Sequence, residues 1–450
     1  MGNVRRTLVL ALVLVVLAAC GGTITLGSSK PTPKGQPANV VIPSQPPLTP
    51  PPGSTPGMLL AFDSANGDPL WQSPGPASDL GQPVVSDGIL FEQGGYGGPP
   101  FVLAAFNAKK GDLIWRAASP AACGGASFGP STLLVTSCEP GPGPVGMSNL
   151  IRALDPKTGR ELWTAEGVGG AVSSGPVLLT VMSASGDFKV RGLDPLNGRQ
   201  IWESALTVTN IPPFVNGQVA LLWQNGCPTG TDPPNVTPQC PGPGQFRSFL
   251  SRIDTASGRE LWQVGFGQGG ELHRLLLGDV AVATVSVELP PAPGQPPSEA
   301  PPQGFIAALD PATGGELWRQ SVIGDSSVSD LAVPGTVYIE QIKYGGNPKV
   351  CPTSRMDALD SETGSLRWRL DGLQTCETTV DADGHTTVLV LRTFSGTRIV
   401  VVNAVTGAEL WEKPIATSVL YPLVHATVSG GVVYVAESGH FVIPSPQGGD

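Results

Sequence analysis

After its first twenty residues the sequence lacks any apolar run long enough to span a membrane, and throughout it lacks dense positive charge. Charged residues make up 14% of the chain, and the formal net charge of −10 is spread along it without a long stretch of lysine and arginine. Nucleic acids require concentrated positive charge opposite their phosphates. We therefore expect no nucleic-acid partner.

The common metal and haem motifs are also absent. The four histidines are widely separated, with no His-Glu-x-x-His spacing, and the seven cysteines include no Cys-x-x-Cys, no Cys-x-x-Cys-His and no adjacent pair. Zinc sites and c-type haem attachment depend on such local groups of ligands. Neither a metal ion nor a cofactor is expected.

Glycine and proline, in contrast, are abundant, at 59 and 47 residues. Because valine, leucine and tryptophan are plentiful as well, the composition is that of a folded protein with many turns, not of a disordered chain. We expect many short strands.

The first nineteen residues have the pattern of an export signal. Arg5-Arg6 supply positive charge, and Thr7 to Ala19 form an apolar core that is short for a membrane span. The segment ends in Leu17-Ala18-Ala19-Cys20-Gly21, which looks like the lipobox of bacterial lipoproteins. We expect residues 1–19 to be removed and Cys20 to carry a lipid that anchors the exported protein to a membrane. In the alternative, an ordinary secretory signal leaves Cys20 as a free thiol.

A tether follows Cys20. From Lys30 to Gly57 the chain is dominated by proline, threonine, serine and glycine, which favour an extended polyproline conformation and cannot bury a core. At about 3.1 Å per residue, the roughly thirty-five residues between Cys20 and the folded body can hold that body up to roughly 100 Å from the membrane. Residues 20–57 are therefore assigned to the lipidated cysteine and a proline-rich tether.

Without Cys20 an even number of cysteines remains, as expected for disulfide bonds in an oxidising compartment. They are Cys123, Cys138, Cys227, Cys240, Cys351 and Cys376. Many alternative pairings are possible, and cysteine counting does not choose among them.

One pattern recurs through the rest of the chain: a short apolar run, Asp or Asn, three residues, Gly, three residues and Trp. Its eight copies share the same internal spacing, whereas the spacing between copies varies. They are Asp63-Gly67-Trp71, Asn107-Gly111-Trp115, Asp155-Gly159-Trp163, Asp194-Gly198-Trp202, Asp254-Gly258-Trp262, Asp310-Gly314-Trp318, Asp360-Gly364-Trp368 and Asn403-Gly407-Trp411. The pattern predicts a rigid repeated hairpin joined by connections that accept insertions.

Each position of the repeat has a structural interpretation. The Asp or Asn side chain can accept hydrogen bonds from nearby backbone N–H groups, and Gly supplies a positive φ. Trp, preceded by Leu or Ile in seven copies, is interpreted as packing between sheets. The functional alternatives are calcium ligands and an exposed aromatic platform for a ligand. Single carboxylates on separate turns cannot converge on one calcium ion, which favours the structural interpretation.

The repeat resembles the tryptophan-docking repeat of bacterial quinoprotein propellers, a family that covers pyrroloquinoline-quinone alcohol dehydrogenases and the lipoprotein that scaffolds outer-membrane barrel assembly. The resemblance implies an all-β fold, an eight-bladed β-propeller over residues 58–437, with a tail at 438–450. Each blade would have four antiparallel strands, A to D from the axis outward, and each Asp-to-Trp hairpin would supply strands C and D.

Strands A and B should then lie between the hairpins, where apolar runs flank Asp87-Gly88, Asn216-Gly217 and Asp383-Gly384. The first hairpin starts at Met58 with no such pair before it. Apolar runs at Tyr421 to Val428 and Val432 to Glu437 follow the last hairpin. These runs should complete the first blade and close the ring, which leaves no open sheet edge.

Such blades have two unlike faces, because B-to-C and D-to-A connections share one face and A-to-B and C-to-D turns share the other. The long irregular segments all fall between B and C: Gln93 to Pro100, Glu139 to Ser148, Asn225 to Gln245, Pro290 to Gly304 and Lys343 to Ser354. Insertions gathered on one face often mark a binding surface. The alternative is tolerated drift of Pro/Gly-rich loops.

Two functions fit the resemblance. One is a lipid-anchored, extracytoplasmic, non-enzymatic monomer that binds another envelope protein or ligand through its loop-rich face. The other is a quinone-dependent dehydrogenase or a sugar- or alcohol-binding relative of one. For the dehydrogenase, the resemblance requires a quinone, a calcium ion, a catalytic aspartate and usually an adjacent-cysteine disulfide. The sequence has no adjacent cysteines, and its repeats are close to minimal. We therefore expect the binding function, without catalytic residues.

The implied topology also suggests how the cysteines pair. Cys123 would lie in a D-to-A connection and Cys138 at the end of the next strand B, on one face. Cys351 and Cys376 would share that face, and Cys227 and Cys240 fall within one B-to-C segment. We predict disulfides Cys123–Cys138, Cys227–Cys240 and Cys351–Cys376, which would stiffen the loop-rich face. Peptide mapping without reduction tests this pairing.

Overall fold

The computed structural model describes residues 54–96, 101–119, 126–128, 132–140, 147–166, 168–174, 177–184, 187–208, 213–216, 218–226, 247–266, 270–287, 303–323, 326–343, 353–375, 377–393, 396–415 and 424–439. Every regular element in these residues is a β-strand, and the strands form eight sheets. No helix in this part of the chain is long and apolar enough to cross a membrane.

Each sheet is one blade with strands A to D from the axis outward. The blades and the strands β1 to β33 are numbered along the chain. In the order A to D, blade 1 contains β32 (Val424–Ser429), β33 (Val432–Glu437), β1 (Met58–Asp63) and β2 (Pro69–Pro74). Blade 2 contains β3 (Asp79–Leu80) with β4 (Val84–Ser86), then β5 (Ile89–Gly95), β6 (Phe101–Asn107) and β7 (Leu113–Ser119). Blade 3 contains β8 (Ala126–Phe128), β9 (Leu133–Pro140), β10 (Met147–Leu154) and β11 (Glu161–Glu166). Blade 4 contains β12 (Val168–Ser174), β13 (Val177–Ala184), β14 (Asp187–Leu193) and β15 (Gln200–Val208).

The remaining blades follow the same order. Blade 5 contains β16 (Phe214–Asn216), β17 (Val219–Gly226), β18 (Arg247–Ile253) and β19 (Glu260–Gly265). Blade 6 contains β20 (Gly270–Leu277), β21 (Ala281–Val287), β22 (Gln303–Leu309) and β23 (Glu316–Ile323). Blade 7 contains β24 (Ser326–Val333), β25 (Thr336–Lys343), β26 (Thr353–Asp360) and β27 (Leu366–Gln374). Blade 8 contains β28 (Glu377–Ala382), β29 (Thr386–Thr393), β30 (Gly396–Asn403) and β31 (Glu409–Ile415).

The A strands of neighbouring blades contact one another around a closed ring. Starting from β32, the contacts run through β4, β8, β12, β16, β20, β24 and β28 and return to β32. The A strands therefore surround the axis, and the D strands lie at the rim. This arrangement confirms the predicted eight-bladed β-propeller.

Blade 1 closes the ring by joining two distant parts of the chain. Strand β33 pairs with β1 in antiparallel register, from Met58 opposite Glu437 to Asp63 opposite Val432. The strands after the last hairpin thus complete the first blade, as predicted. Backbone hydrogen bonds of the sheet therefore contribute directly to the closure.

Strand A of blade 2 departs from the others because it is split. Both β3 and β4 pair with β5, with Leu80 opposite Gly94 and Val84 opposite Phe91. Gln82-Pro83 lies at the break, where Pro83 has no N–H to donate to a ladder.

The core is divided among the interfaces between blades. Successive residues of a strand point to opposite sides of the sheet, so Leu59 and Ala61 of β1 pack against blade 2, whereas Leu60 and Phe62 pack against blade 8. Each of the eight interfaces contains its own apolar cluster in the described residues. The body is stabilised by a ring of small cores.

Candidate functional site

The eight Asp and Asn anchors occupy equivalent turns between strands C and D. In every copy the Oδ1 atom accepts a hydrogen bond, at 2.7–3.2 Å, from the backbone N–H two residues on. The motif glycine donates its N–H to the carbonyl of the anchor and has a φ of 67–74°. The Oδ1 atom and the carbonyl of each anchor are therefore already engaged in hydrogen bonds within the turn.

Each anchor carboxylate is a single negative charge on its own turn, separate from the carboxylates of the other blades. The Arg367 guanidinium, 2.8 Å from Asp360, lowers the pKa of that carboxyl to about 2. Hydrogen bonds from the Ser257 hydroxyl and from the Ala256 N–H also lower the pKa of Asp254. Among the described residues, no group of three His, Cys, Asp or Glu side chains could hold a metal ion.

Each motif tryptophan docks on the turn of the next blade. Its Nε1 atom donates to the carbonyl of the residue that follows the next anchor, at 2.7–3.2 Å in all eight copies. The pairs are Trp71–Ala108, Trp115–Pro156, Trp163–Pro195, Trp202–Thr255, Trp262–Pro311, Trp318–Ser361, Trp368–Ala404 and Trp411–Ser64. The last pair joins blade 8 to blade 1, so the rim is closed by the same contact as the other interfaces.

The docked indole also lies against the motif glycine of the next blade. A Cβ atom on Gly111 would lie 2.5 Å from Trp71, and one on Gly364 would lie 2.7 Å from Trp318. The glycine is therefore required for two reasons, the positive φ of its own turn and the close approach of the neighbouring ring. Only the first reason is evident from the repeat spacing.

Of the seven Leu or Ile residues that precede Trp, Leu162 packs against the cluster between blades 3 and 4, whereas the other six are largely exposed. Side chains at this position are 38–50% exposed at Leu70, Ile114, Ile201, Leu261, Leu317 and Leu410. Adjacent strand residues point to opposite faces. Because the indole takes the face toward the next blade, its neighbour lies on the other face of the outermost strand, where coverage is incomplete.

The long B-to-C connections begin and end on the loop-bearing face, which also carries the D-to-A connections. The strands extend further than predicted: β5 runs to Gly95, β9 to Pro140, and β22 begins at Gln303. The connections between B and C strands are accordingly 96–100, 141–146, 227–246, 288–302 and 344–352. Ladder pairing continues through Gly94, which lies opposite Val102, because backbone hydrogen bonds need no side chain. Apart from Tyr96, these connections lie outside the described residues.

Most of the predicted modification sites also lie outside the described residues. These are Cys20, Cys123, Cys227, Cys240, Cys351 and Cys376. Cys138 lies on β9 opposite Asn149 of β10, on strand B as predicted. The disulfide pairing and the lipid anchor therefore stay predictions.

A clasp lies between blades 1 and 2 on the loop-bearing face; we use this name for residues 54–57, 75–81 and 438–439. Gly57 donates its N–H to Ala77 and accepts from Gly75, both at 2.7 Å, and Gly439 donates to Ser78 at 2.6 Å. The Ser438 hydroxyl accepts from the Leu80 N–H at 3.1 Å. The D-to-A connection of blade 1 thus holds the segments before β1 and after β33. No motif in the sequence indicates this clasp.

One carboxylate beneath the clasp is fully buried. Glu92 of β5 has no exposed surface, its Oε1 atom accepts from the Gly81 N–H at 2.8 Å, and its Oε2 atom has no hydrogen-bond partner in the described residues. Burial raises the pKa of Glu92 well above its usual value, against the lowering effect of backbone hydrogen bonds from Gly81 and Gln93. The only signal in the sequence was an acid within an apolar strand, Ile89 to Gly95.

Comparison with solved structures finds likenesses of low sequence identity. BamB from Moraxella catarrhalis is 14% identical, with 84% of this chain and 90% of that chain covered and a TM-score of 0.44. Quinohemoprotein alcohol dehydrogenase from Comamonas testosteroni is 13% identical, with 88% and 78% covered and a TM-score of 0.48. Sqt1 from Saccharomyces cerevisiae is 10% identical, with 80% and 95% covered and a TM-score of 0.44. At these identities and TM-scores, no role follows from the likenesses.

A search of the curated proteins found no match. The family model described as outer membrane protein assembly factor BamB matches residues 55–220 and 247–421, which include all eight Asp/Asn-to-Trp hairpins. With most of the propeller matched, the chain belongs to the family of the outer membrane protein assembly factor BamB.

Proposed function

We propose that this protein is a lipid-anchored, extracytoplasmic, non-enzymatic propeller that binds another envelope protein or ligand through its loop-bearing face. Membership of the BamB family supports a propeller of the cell envelope as the coarse assignment. The lipid on Cys20, the monomeric state and the choice of face are the finer parts of the proposal.

The observation that carries the proposal is the contrast between the two faces of the disc. The C-to-D turns repeat the same hydrogen bonds in all eight blades. The B-to-C connections range from the two residues 394–395 in blade 8 to the segment 227–246 in blade 5. Variation restricted to one face of a rigid scaffold is typical of binding loops. The clasp fixes the ends of the propeller on this same face.

The choice of face can be tested by photo-crosslinking in intact membranes. A benzoylphenylalanine at Tyr96, on the loop-bearing face, is compared with one at Val405, which is 61% exposed on a C-to-D turn of the other face. We expect a discrete crosslinked envelope partner from position 96 and none from position 405. Equal crosslinking from both positions, or crosslinking from position 405 alone, would refute the proposed face.

The anchor is tested separately by Cys20→Ser. We expect the wild-type protein in the membrane pellet and the variant in the soluble fraction after cell fractionation. A variant that stays in the pellet as before would show that membrane association does not depend on Cys20.

The quinoprotein dehydrogenase alternative requires its own experiment. Purified protein is supplied with pyrroloquinoline quinone and calcium, and quinone absorbance and alcohol or sugar oxidation are measured. We expect neither bound quinone nor turnover. Stoichiometric quinone binding with turnover would replace the proposed function by an enzymatic one.

A further inference from the structure

The interface between blades 6 and 7 breaks the pattern of the repeat. Three residues before its anchor, strand C of blade 7 carries Asp357, which is only 4% exposed. At the same position the other blades have Leu60, Ala104, Arg152, Arg191, Ser251, Ala307 and Val400. A buried carboxylate costs free energy unless it is paired. Because seven blades pack without one, the acid is not a requirement of the propeller.

The carboxylate is paired with an arginine on the next strand outward. Asp357 and Arg369 lie opposite each other in the ladder between β26 and β27. The guanidinium of Arg369 donates through Nε to Oδ1 at 2.6 Å and through Nη2 to Oδ2 at 3.1 Å. This bidentate pair neutralises the carboxylate and orients both groups.

A second arginine, Arg355, lies beside this pair without a hydrogen-bonded carboxylate of its own among the described residues, whereas Arg369 is also near Asp371. Arg355 lies two residues earlier on β26 and therefore on the same face as Asp357. Its Nη2 atom is 3.5 Å from Asp357 Oδ2, and its Nε atom is buried without a hydrogen-bond partner in the described residues. A buried N–H without an acceptor is unfavourable. An anion placed beside Arg355 would supply the missing acceptor.

The space next to Arg355 is a pocket of about 360 Å³ between the rim strand of blade 6 and the sheet of blade 7. Gln320 and Ser321 of β23 form one wall, and Gln341, opposite Arg355 in the ladder, contributes to the other. The amide nitrogen of Gln320 donates to the Gly364 carbonyl at 2.7 Å, which leaves its amide oxygen as an acceptor. Small-molecule sites usually measure about 300–1,000 Å³, so this inter-blade pocket suits a small ligand.

We propose that the inter-blade pocket binds a hydroxylated monocarboxylic acid of the sugar-acid class. The ligand carboxylate accepts hydrogen bonds from Arg355, and its hydroxyl groups meet the amides of Gln320 and Gln341. One carboxylate supplies the acceptor that the buried Nε of Arg355 lacks. A phosphate dianion would place a second negative charge near Asp357, which repels it. The site is on the side of the disc and is independent of the proposed loop-bearing binding face.

The test is titration calorimetry of the purified full-length lipoprotein with glucuronate and gluconate, and with glucose and inorganic phosphate as comparison ligands. We expect at least one of the two acids to bind, and glucose and phosphate to bind at least about tenfold more weakly, because a hydrogen bond to a charged group contributes at least that much affinity. No binding of either acid at concentrations of about 10 mM, or phosphate binding as tightly as the acids, would overturn the proposal.

Two matched variants locate the site. Arg355→Gln removes the guanidinium that would bind the ligand carboxylate, and we expect at least about a tenfold loss of affinity for the acid. Arg398→Gln is the control, because Arg398 has the same repeat position in blade 8 and the same exposure, 37% against 38%, but is paired with Glu412. Thermal unfolding of both variants shows that each is folded. Equal affinity in the two variants would exclude the inter-blade pocket as the binding site.

Discussion

The rim and the axis of the propeller hold neighbouring blades together in different ways. At the rim, every interface uses the same indole-to-carbonyl hydrogen bond, including the closing contact from Trp411 to Ser64. At the axis the contacts differ from blade to blade. Gln82 donates to the Ala426 carbonyl at 2.7 Å, Asp381 accepts from the Val428 N–H at 2.8 Å, and no common motif relates them.

The difference follows from geometry. The A strands of adjacent blades contact each other directly, so side chains of many kinds can bridge them. The D strands lie at the rim, where the large indole of each blade reaches the turn of the next blade. The rim therefore needs one residue type at one spacing, whereas the axis tolerates variation. The predictions below test this contrast, beginning with the largest expected effect.

Trp411→Ala should have the largest effect on stability. Trp411 is 8% exposed and packs in the cluster between blades 8 and 1. Its removal leaves a cavity and an unpaired carbonyl at Ser64, which should lower the free energy of unfolding by about 3–5 kcal/mol. Urea unfolding followed by fluorescence measures the change.

The adjacent residue provides the control. Leu410 is 38% exposed on the other face of the same strand, so Leu410→Ala should change the free energy of unfolding by less than about 0.5 kcal/mol. Similar losses in the two variants would contradict the assignment of the rim contact to the indole alone.

Gly364→Ala should have an intermediate effect. Gly364 has a φ of 68° and lies against Trp318, so an added Cβ both strains the backbone and displaces the indole. We expect a loss of about 2–4 kcal/mol from the two causes together. The comparison variant is Gly384→Ala on an A-to-B turn near the axis, where φ is 88° and no atom lies within 4 Å of the added Cβ. Only the backbone strain, about 1–2 kcal/mol, applies there. Equal losses would show that the indole contact adds nothing.

Glu92→Gln removes no packing contact and should instead alter the pH dependence of stability. Because burial raises the pKa of Glu92 in the folded protein, the folded state binds more protons than the unfolded state between the two pKa values. The stability contributed by the protonated form is complete below the unfolded pKa of about 4.3 and is lost as pH rises through the folded pKa. Glutamine does not titrate, so the variant should lack this loss.

Urea unfolding at a series of pH values measures the difference between the variant and the wild type. Asp79 raises the pKa of Glu92 further, and the half-buried Glu437 also has a raised pKa. Glu437→Gln therefore serves as the comparison, with a smaller change expected. If the stability of the wild type and that of Glu92→Gln had the same pH dependence, folding would not raise the pKa of Glu92.

Particular residues show how far the sequence predicted the structure. The spacing of Asp360, Gly364 and Trp368 predicted the hairpin, and the unpaired runs after Trp411 predicted the closing blade. The exposure of Leu410 was not predicted, because hydrophobicity indicates neither which face a rim residue occupies nor whether that face is covered. The strand ends were also misplaced where Gly94 and Pro140 continue a ladder that composition alone assigns to a loop.

The sequence by itself determined the repeat, the number of blades and the turn that each Asp or Asn forms, because these depend on contacts within a few residues of the chain. Only the tertiary structure decided which groups meet across blades. Trp368 bonds to the carbonyl of Ala404 in the next blade, the clasp unites residues 54–57 with 438–439, and Arg355 faces Gln320 across a pocket. Such partners are separated along the chain by connections of variable length, so no fixed spacing relates them, and only closure of the ring brings them together.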